Sequence, residues 1–101
     1  MPTRTQIEEL LKSEPDDVFL NYALAKALAS EGDLQAALAQ FDRVLDLAPD
    51  YVPAHFQKGQ TLADHGRTDS AREAIVRGLE VAARVGDAHA EAEMRAFLET
   101  L

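Results

Sequence analysis

Cysteine and tryptophan are absent from this sequence, and aromatic residues of any kind make up only 6% of it. Without cysteine there are no disulfides, no thiolate zinc sites and no cysteine nucleophiles, and an oxidising compartment offers the chain nothing. β-Branched residues are sparse, so strand signals are weak. Positive charge is also in deficit. Ten Lys and Arg stand against eighteen Asp and Glu, giving a net charge of −8. A phosphate backbone or an anionic bilayer is repelled on average, so neither nucleic acid nor a membrane is expected as a partner. The opening MPTRTQIEELLKSEP has no apolar core of the kind a signal peptide needs. No later run approaches the roughly 20 apolar residues of a membrane span. A cytoplasmic protein is expected.

What the chain does have is alanine, the best helix former, and a 47% share of apolar residues in 101 positions. That length fits one domain, residues 1–101, with little volume to spare for a deep solvent-filled active site. The sequence also repeats itself at an offset of 34. Tyr22 meets Phe56, Ala25 meets Gly59, Leu28 meets Leu62, Gly32 meets Gly66, Ala37 meets Ala71 and Phe41 meets Ile75. Small residues carry most of the weight, because a recurring Gly or Ala marks a close backbone approach or a left-handed turn. Run backwards, the register pairs Pro15 with Pro49, Leu11 with Leu45 and Ile7 with Phe41. Residues 1–14 therefore read as the second half of an earlier unit, 15–49 and 50–85 as two full repeats, and 86–101 as a C-terminal capping helix.

Helix punctuation follows the same register. Helices are predicted near 3–13, 17–31, 34–47, 51–65, 68–85 and 88–100. Thr3 with Gln6, or Thr5 with Glu8, can form a capping box, and Asp16, Asp33, Asp50, Thr68 and Asp87 are candidate N-caps. Gly32 and Gly66 supply the positive-φ residue that ends the first helix of each pair. Connections this short make the paired helices antiparallel neighbours.

At this point the residues resemble the tetratricopeptide repeat family. Its helix-turn-helix pattern is met by Leu24-Ala25, Leu28, Gly32, Ala37, Phe41, Val44 and Pro49, and again by Gly59, Leu62, Gly66, Ala71, Ile75 and Gly78. Asn21 and His55 stand where the family has Trp, Lys58 replaces Leu, and Ala83 replaces the closing Pro, so the fifth helix is expected to run on towards Gly86. The resemblance implies an all-α fold of tandem antiparallel helix-turn-helix repeats forming a short right-handed α-solenoid of about six helices. It implies a protein–protein interaction module, an adaptor or scaffold that takes a peptide segment of a partner in a concave groove. Carried over residue by residue, that groove is lined by Phe19, Tyr22, Lys26 and Ser30 in the first repeat and by Phe56, Gln60 and Asp64 in the second. Phe19 can equally be read as core. A basic clamp for a partner's terminal carboxylate is not expected, since Lys26 alone is basic at those positions.

Chemistry is thinly represented. No two of the three histidines lie four apart and no HExxH occurs, so no metal and no cofactor are expected. Ser13, Ser30 and Ser70 lie in no nucleophile elbow, and there is no glycine-rich phosphate loop. Enzymatic activity is not expected. The alternative to an adaptor is structural self-association, a homodimer formed through exposed ends of the repeat stack.

Overall fold

The computed structural model describes residues 2–101. They form six helices: α1 (Arg4–Ser13), α2 (Val18–Ser30), α3 (Leu34–Leu47), α4 (Val52–Asp64), α5 (Thr68–Val85) and α6 (Ala88–Glu99). The helices start and stop within about a residue of the expected bounds, and the described residues contain no strand. α5 does run past Ala83, as the missing proline predicts, and closes on Gly86 in the left-handed region. The chain divides into two compact units, one reaching Pro49 and one from Asp50 to Leu101.

In the unit reaching Pro49, α2 packs on both α1 and α3. Ile7, Ala25, Ala37, Phe41 and Val44 are buried. The Tyr22 ring lies 6.5 Å from that of Phe41, tilted by 58°. Asn21, at the position where the family pattern has Trp, is buried as a polar junction instead. Its Nδ2 donates to the carbonyls of Pro15 (3.0 Å) and Asp17 (2.8 Å), and its Oδ1 accepts from Gln40 of α3 at 2.6 Å. One side chain thus ties the start of α2 to α3 and leaves none of its polar atoms unmatched.

In the unit from Asp50 to Leu101, α5 packs on α4 and on α6. Val52, Ile75, Val81, Ala82 and Met94 form the core, with Phe56, Leu79, Ala90, Phe97 and Leu98 packed against it. Two glycines set how closely these helices approach. A Cβ on Gly59 would reach the Ile75 side chain, 2.7 Å from Cγ1, and one on Gly78 would stand 2.7 Å from Met94 Sδ and 2.9 Å from His55 Cβ.

Helix ends follow local chemistry with instructive exceptions. Thr3 and Gln6 form the capping box, and Asp33 and Asp87 cap α3 and α6. Asp17, not Asp16, caps α2. Asp16 is occupied by Arg43 of α3 at 2.5 Å, and its repeat counterpart Asp50 by Arg84 of α5. The N-cap of α4 is accordingly Tyr51, and that of α5 is Arg67 with Thr68 already inside the helix; neither makes a side-chain cap bond. A carboxylate spent on an arginine of a packed helix is not available to the first-turn N–H groups.

Gly32 and Gly66 adopt φ of 80° and 73° as expected. The amide after each turns back to the helix, Asp33 N–H to Leu28 C=O at 3.2 Å and Arg67 N–H to Leu62 C=O at 2.9 Å. A Cβ at Gly32 would meet no atom within 4 Å. Gly32→Ala therefore carries only the left-handed backbone penalty, and thermal unfolding is expected to show a loss of about 1 kcal/mol. A loss several times larger would mean that the turn is packed.

Candidate functional site

α2 is unusual in having no polar face. Lys26 is its only charged residue, and apolar side chains project on more than one side. One stripe carries Asn21 and Ala25 into the interior of the unit. A second, at positions 19, 22, 23, 26, 27 and 30, keeps the same helical spacing, and here the structure opens a pocket of about 340 Å³. Phe19, Tyr22, Ala23, Lys26, Ala27 and Ser30 form its wall from α2, with Ile7 of α1 and the preceding Pro2 closing the other side.

The pocket lining is mainly apolar, with Tyr22, Lys26 and Ser30 as its polar members. Phe19 is 67% exposed, the most exposed large hydrophobic residue described, which decides its reading against core. Lys26 Nζ sits 5.4 Å from the centroid of the Tyr22 ring, a cation–π contact that holds the charge at the pocket edge. The ring is braced from behind by Phe41. α1 is fastened over α2 by Arg4, whose guanidinium bonds Glu31 just beyond α2 at 2.8 and 3.1 Å and Glu8 one turn along at 3.3 Å. The hydrogen bond to Glu31, then the charges of Glu31 and Glu8, hold the Arg4 pKa above its ordinary value.

All four groove residues expected from the first repeat line this one pocket. Sequence reasoning missed Pro2, Ile7, Ala23 and Ala27; of these, Ala23 and Ala27 were legible as the i+4 companions of Phe19 and Ala23. In the second unit, Phe56 is half-buried, its ring edge-on to Phe97 of α6 at 5.8 Å. Gln60 is half-buried and Asp64 is exposed.

The remaining polar groups are dispersed. His55 is buried beside Gly78. His65 Nδ1 lies 3.0 Å from the Thr61 carbonyl, and His89 pairs with Glu93 on the surface of α6. Among the described residues no group of three His, Cys, Asp or Glu could hold a metal. The outer face of α5 forms a shallow depression whose charges alternate along Asp69, Arg72, Glu73, Arg77 and Glu80 around Val76. No described helix is long and apolar enough to cross a membrane.

Comparison with known proteins gives one consistent result. A family model described as tetratricopeptide repeat matches residues 28–92. The chain is 32% identical over 95 residues to the TPR repeat-containing protein PA0015 of Pseudomonas aeruginosa, covering 94% of this chain and 90% of that one. Among solved structures, protein BPP2914 from Bordetella parapertussis superposes with a TM-score of 0.87 at 30% identity, over 99% of this chain and 87% of the other. A tetratricopeptide repeat domain protein from Salinibacter ruber gives 0.78 at 30% identity, over 85% and 87%. The TPR2B domain of yeast Sti1, solved as a complex with pHsp70, gives 0.86 at 21% identity, over 95% and 77%.

Proposed function

Since the chain belongs to the tetratricopeptide repeat family, whose fold is in general a protein–protein interaction module, we propose that it binds a segment of a partner protein in the pocket between α1 and α2. One observation carries the reading. The most exposed large hydrophobic residue described, Phe19, lines the apolar pocket together with Tyr22 and Lys26. An aromatic anchor beside a concave apolar site, with one polar handle at the edge, has the composition of a binding hot spot. That the same fold in yeast Sti1 was solved in complex with pHsp70 supports a role in binding. The family's members are typically not enzymes, and this site offers no pair of acid and base groups. In this reading the chain acts as an adaptor without catalysis or cofactor, and its net charge of −8 sets it against anionic partners.

The proposal rests on α2. Phe56, its ring against Phe97, contributes to the packing of its own unit, while Gln60 and Asp64 remain secondary contact positions on α4. Phe19→Ala is the diagnostic variant, because a side chain two-thirds exposed changes stability by less than about 0.5 kcal/mol when truncated. Affinity for a partner is expected to fall by about tenfold or more. The measurement compares proteins retained by the parent chain and by Phe19→Ala, Gln60→Ala and Asp64→Ala, with thermal unfolding as the control. Retention lost with the α4 variants and kept with Phe19→Ala would move the site to α4.

A further inference from the structure

The wall that α1 gives to the pocket is held in place by few contacts. Of the ten residues of α1, Ile7 alone is buried and Leu11 half-buried, while Leu10 stays 51% exposed. The face turned away from Ile7 is polar. Thr5, Glu9 and Lys12 are exposed there, and Lys12 pairs with Glu9 at 2.9 Å. α3, in the same unit, buries Ala37, Phe41 and Val44. A helix as short as α1 has little stability of its own in water, so it persists through its docking on α2. Where buried apolar contacts are few, a segment opens at a lower free energy than the structure around it.

The two ends of α1 are held differently. The segment after it is pinned, because Asn21 Nδ2 donates to the carbonyls of Pro15 and Asp17, and Arg43 of α3 pairs with Asp16 at 2.5 Å. None of those bonds involves α1. Between the pinned segment and the helix stands Glu14, at φ −134° and ψ 66°, outside the helical range as a residue before proline prefers. At the far end the attachment is a surface clasp, Arg4 to Glu31 just beyond α2, with side chains 42% and 46% exposed. Ion pairs this exposed hold weakly and are screened by salt.

We propose that α1 is a hinged flap, which swings about Glu14 independently of α2 and α3 and carries Pro2 and Ile7 away from the α2 side of the pocket. The pocket is then complete only while the flap is down. As a control over binding this rests on the pocket being the site; as a motion of α1 it stands apart from that reading. The Asn21 junction stays made when the flap opens, since Pro15, Asp17 and Gln40 all lie after the hinge. Opening gives up Ile7, Leu11 and the Arg4 clasp, and leaves the α2 and α3 pair standing.

Native-state amide exchange of the intact 101-residue chain, resolved by NMR, reads this motion with no ligand present. Protection at Leu10, Leu11 and Glu14 is expected to be lower than at Ala25 and Phe41 by about tenfold or more, with one shared value across the three. Gln40→Ala removes a bond that the open and closed flap both keep. It is expected to lower protection at Ala25 and Phe41 by about fivefold and to leave α1 unchanged. Ile7→Ala is expected to lower protection in α1 by about thirtyfold or more, and Ile7→Val, which keeps the test if the alanine variant does not fold, by about threefold. Arg4→Gln is expected to lower it by about twofold to fivefold, less at high salt. Equal protection of α1 and α3 in the parent, or a loss in α1 that matches α3 in Gln40→Ala, would show that the unit opens only as a whole and would overturn the flap. Protection in α1 indifferent to both changes at Ile7 would mean that the helix frays without leaving α2, which overturns it too. The binding reading is judged separately, by partner retention in Phe19→Ala.

Discussion

Gly78→Val is expected to destabilise the protein by about 3 kcal/mol, lowering the unfolding midpoint by more than about 10 °C. Ordinary propensity argues the other way, because glycine inside a helix is worse than alanine by about 1 kcal/mol. The structure overrides propensity at this position. A Cβ on Gly78 stands 2.7 Å from Met94 Sδ and 2.9 Å from His55 Cβ. The Met94 thioether can swing aside, but a Cβ is fixed to its own backbone, so α4 and α5 must separate to admit the new atom. Gly78→Ala is therefore also destabilising despite its better propensity, and valine adds two methyl groups to the same clash. Thermal unfolding followed by circular dichroism checks both variants. Gly78→Ala at or above the parent's stability would show that the approach is looser than these distances indicate.

The second large effect is expected at Asn21→Asp, a change of almost no volume. Two backbone carbonyls, those of Pro15 and Asp17, accept from Nδ2, so only a donor suits that side of the group. An ionised carboxylate would turn an oxygen towards both carbonyls in a buried site, which is expected to cost about 3 kcal/mol at neutral pH. Protonation restores one donor. The folded state of the variant thus favours the protonated carboxyl, raising its pKa above the unfolded value, so the variant is most stable below the carboxylate range and loses stability as pH rises through it. Chemical denaturation at pH 4 and pH 7 reads the difference. Gln40→Ala, which removes the amide that donates to Oδ1 and more weakly to the Asn21 carbonyl, is expected to cost about 1 kcal/mol, with little of that pH dependence. A pH-independent loss in Asn21→Asp would mean that the carbonyls do not control the site.

Both positions mark how far the sequence could be read. Gly78 entered the repeat pattern as a small residue and its closeness to another backbone followed from that; which helices converge there did not. Asn21 registered only as a missing tryptophan. A buried amide gives no periodic signal, and its partners lie on the loop before α2 and on α3, so the junction exists only once those segments are packed. Asp16 and Asp50 show the same limit at helix ends. Each has the composition of an N-cap, but the long-range arginines Arg43 and Arg84 hold them, and the capping role shifts to Asp17 in one case and is left without a side chain in the other. The candidate site was legible as a stripe, since Phe19, Tyr22, Lys26 and Ser30 share helical spacing. Whether Phe19 was core or rim was not, because spacing says which residues share a face and nothing of what covers it.

Helix number, helix length, the left-handed glycine turns and the repeat register were settled by the amino-acid order itself, because each depends on neighbours within one turn or on a pattern recurring at a fixed interval. Tertiary structure alone decided which polar side chains were already committed, how little space remains at Gly59 and Gly78, and that a pocket stays open beside Ile7 and Ala27. Those outcomes depend on atoms distant in the chain meeting at contact range, where a change of one methyl group or one hydrogen-bond donor alters the result.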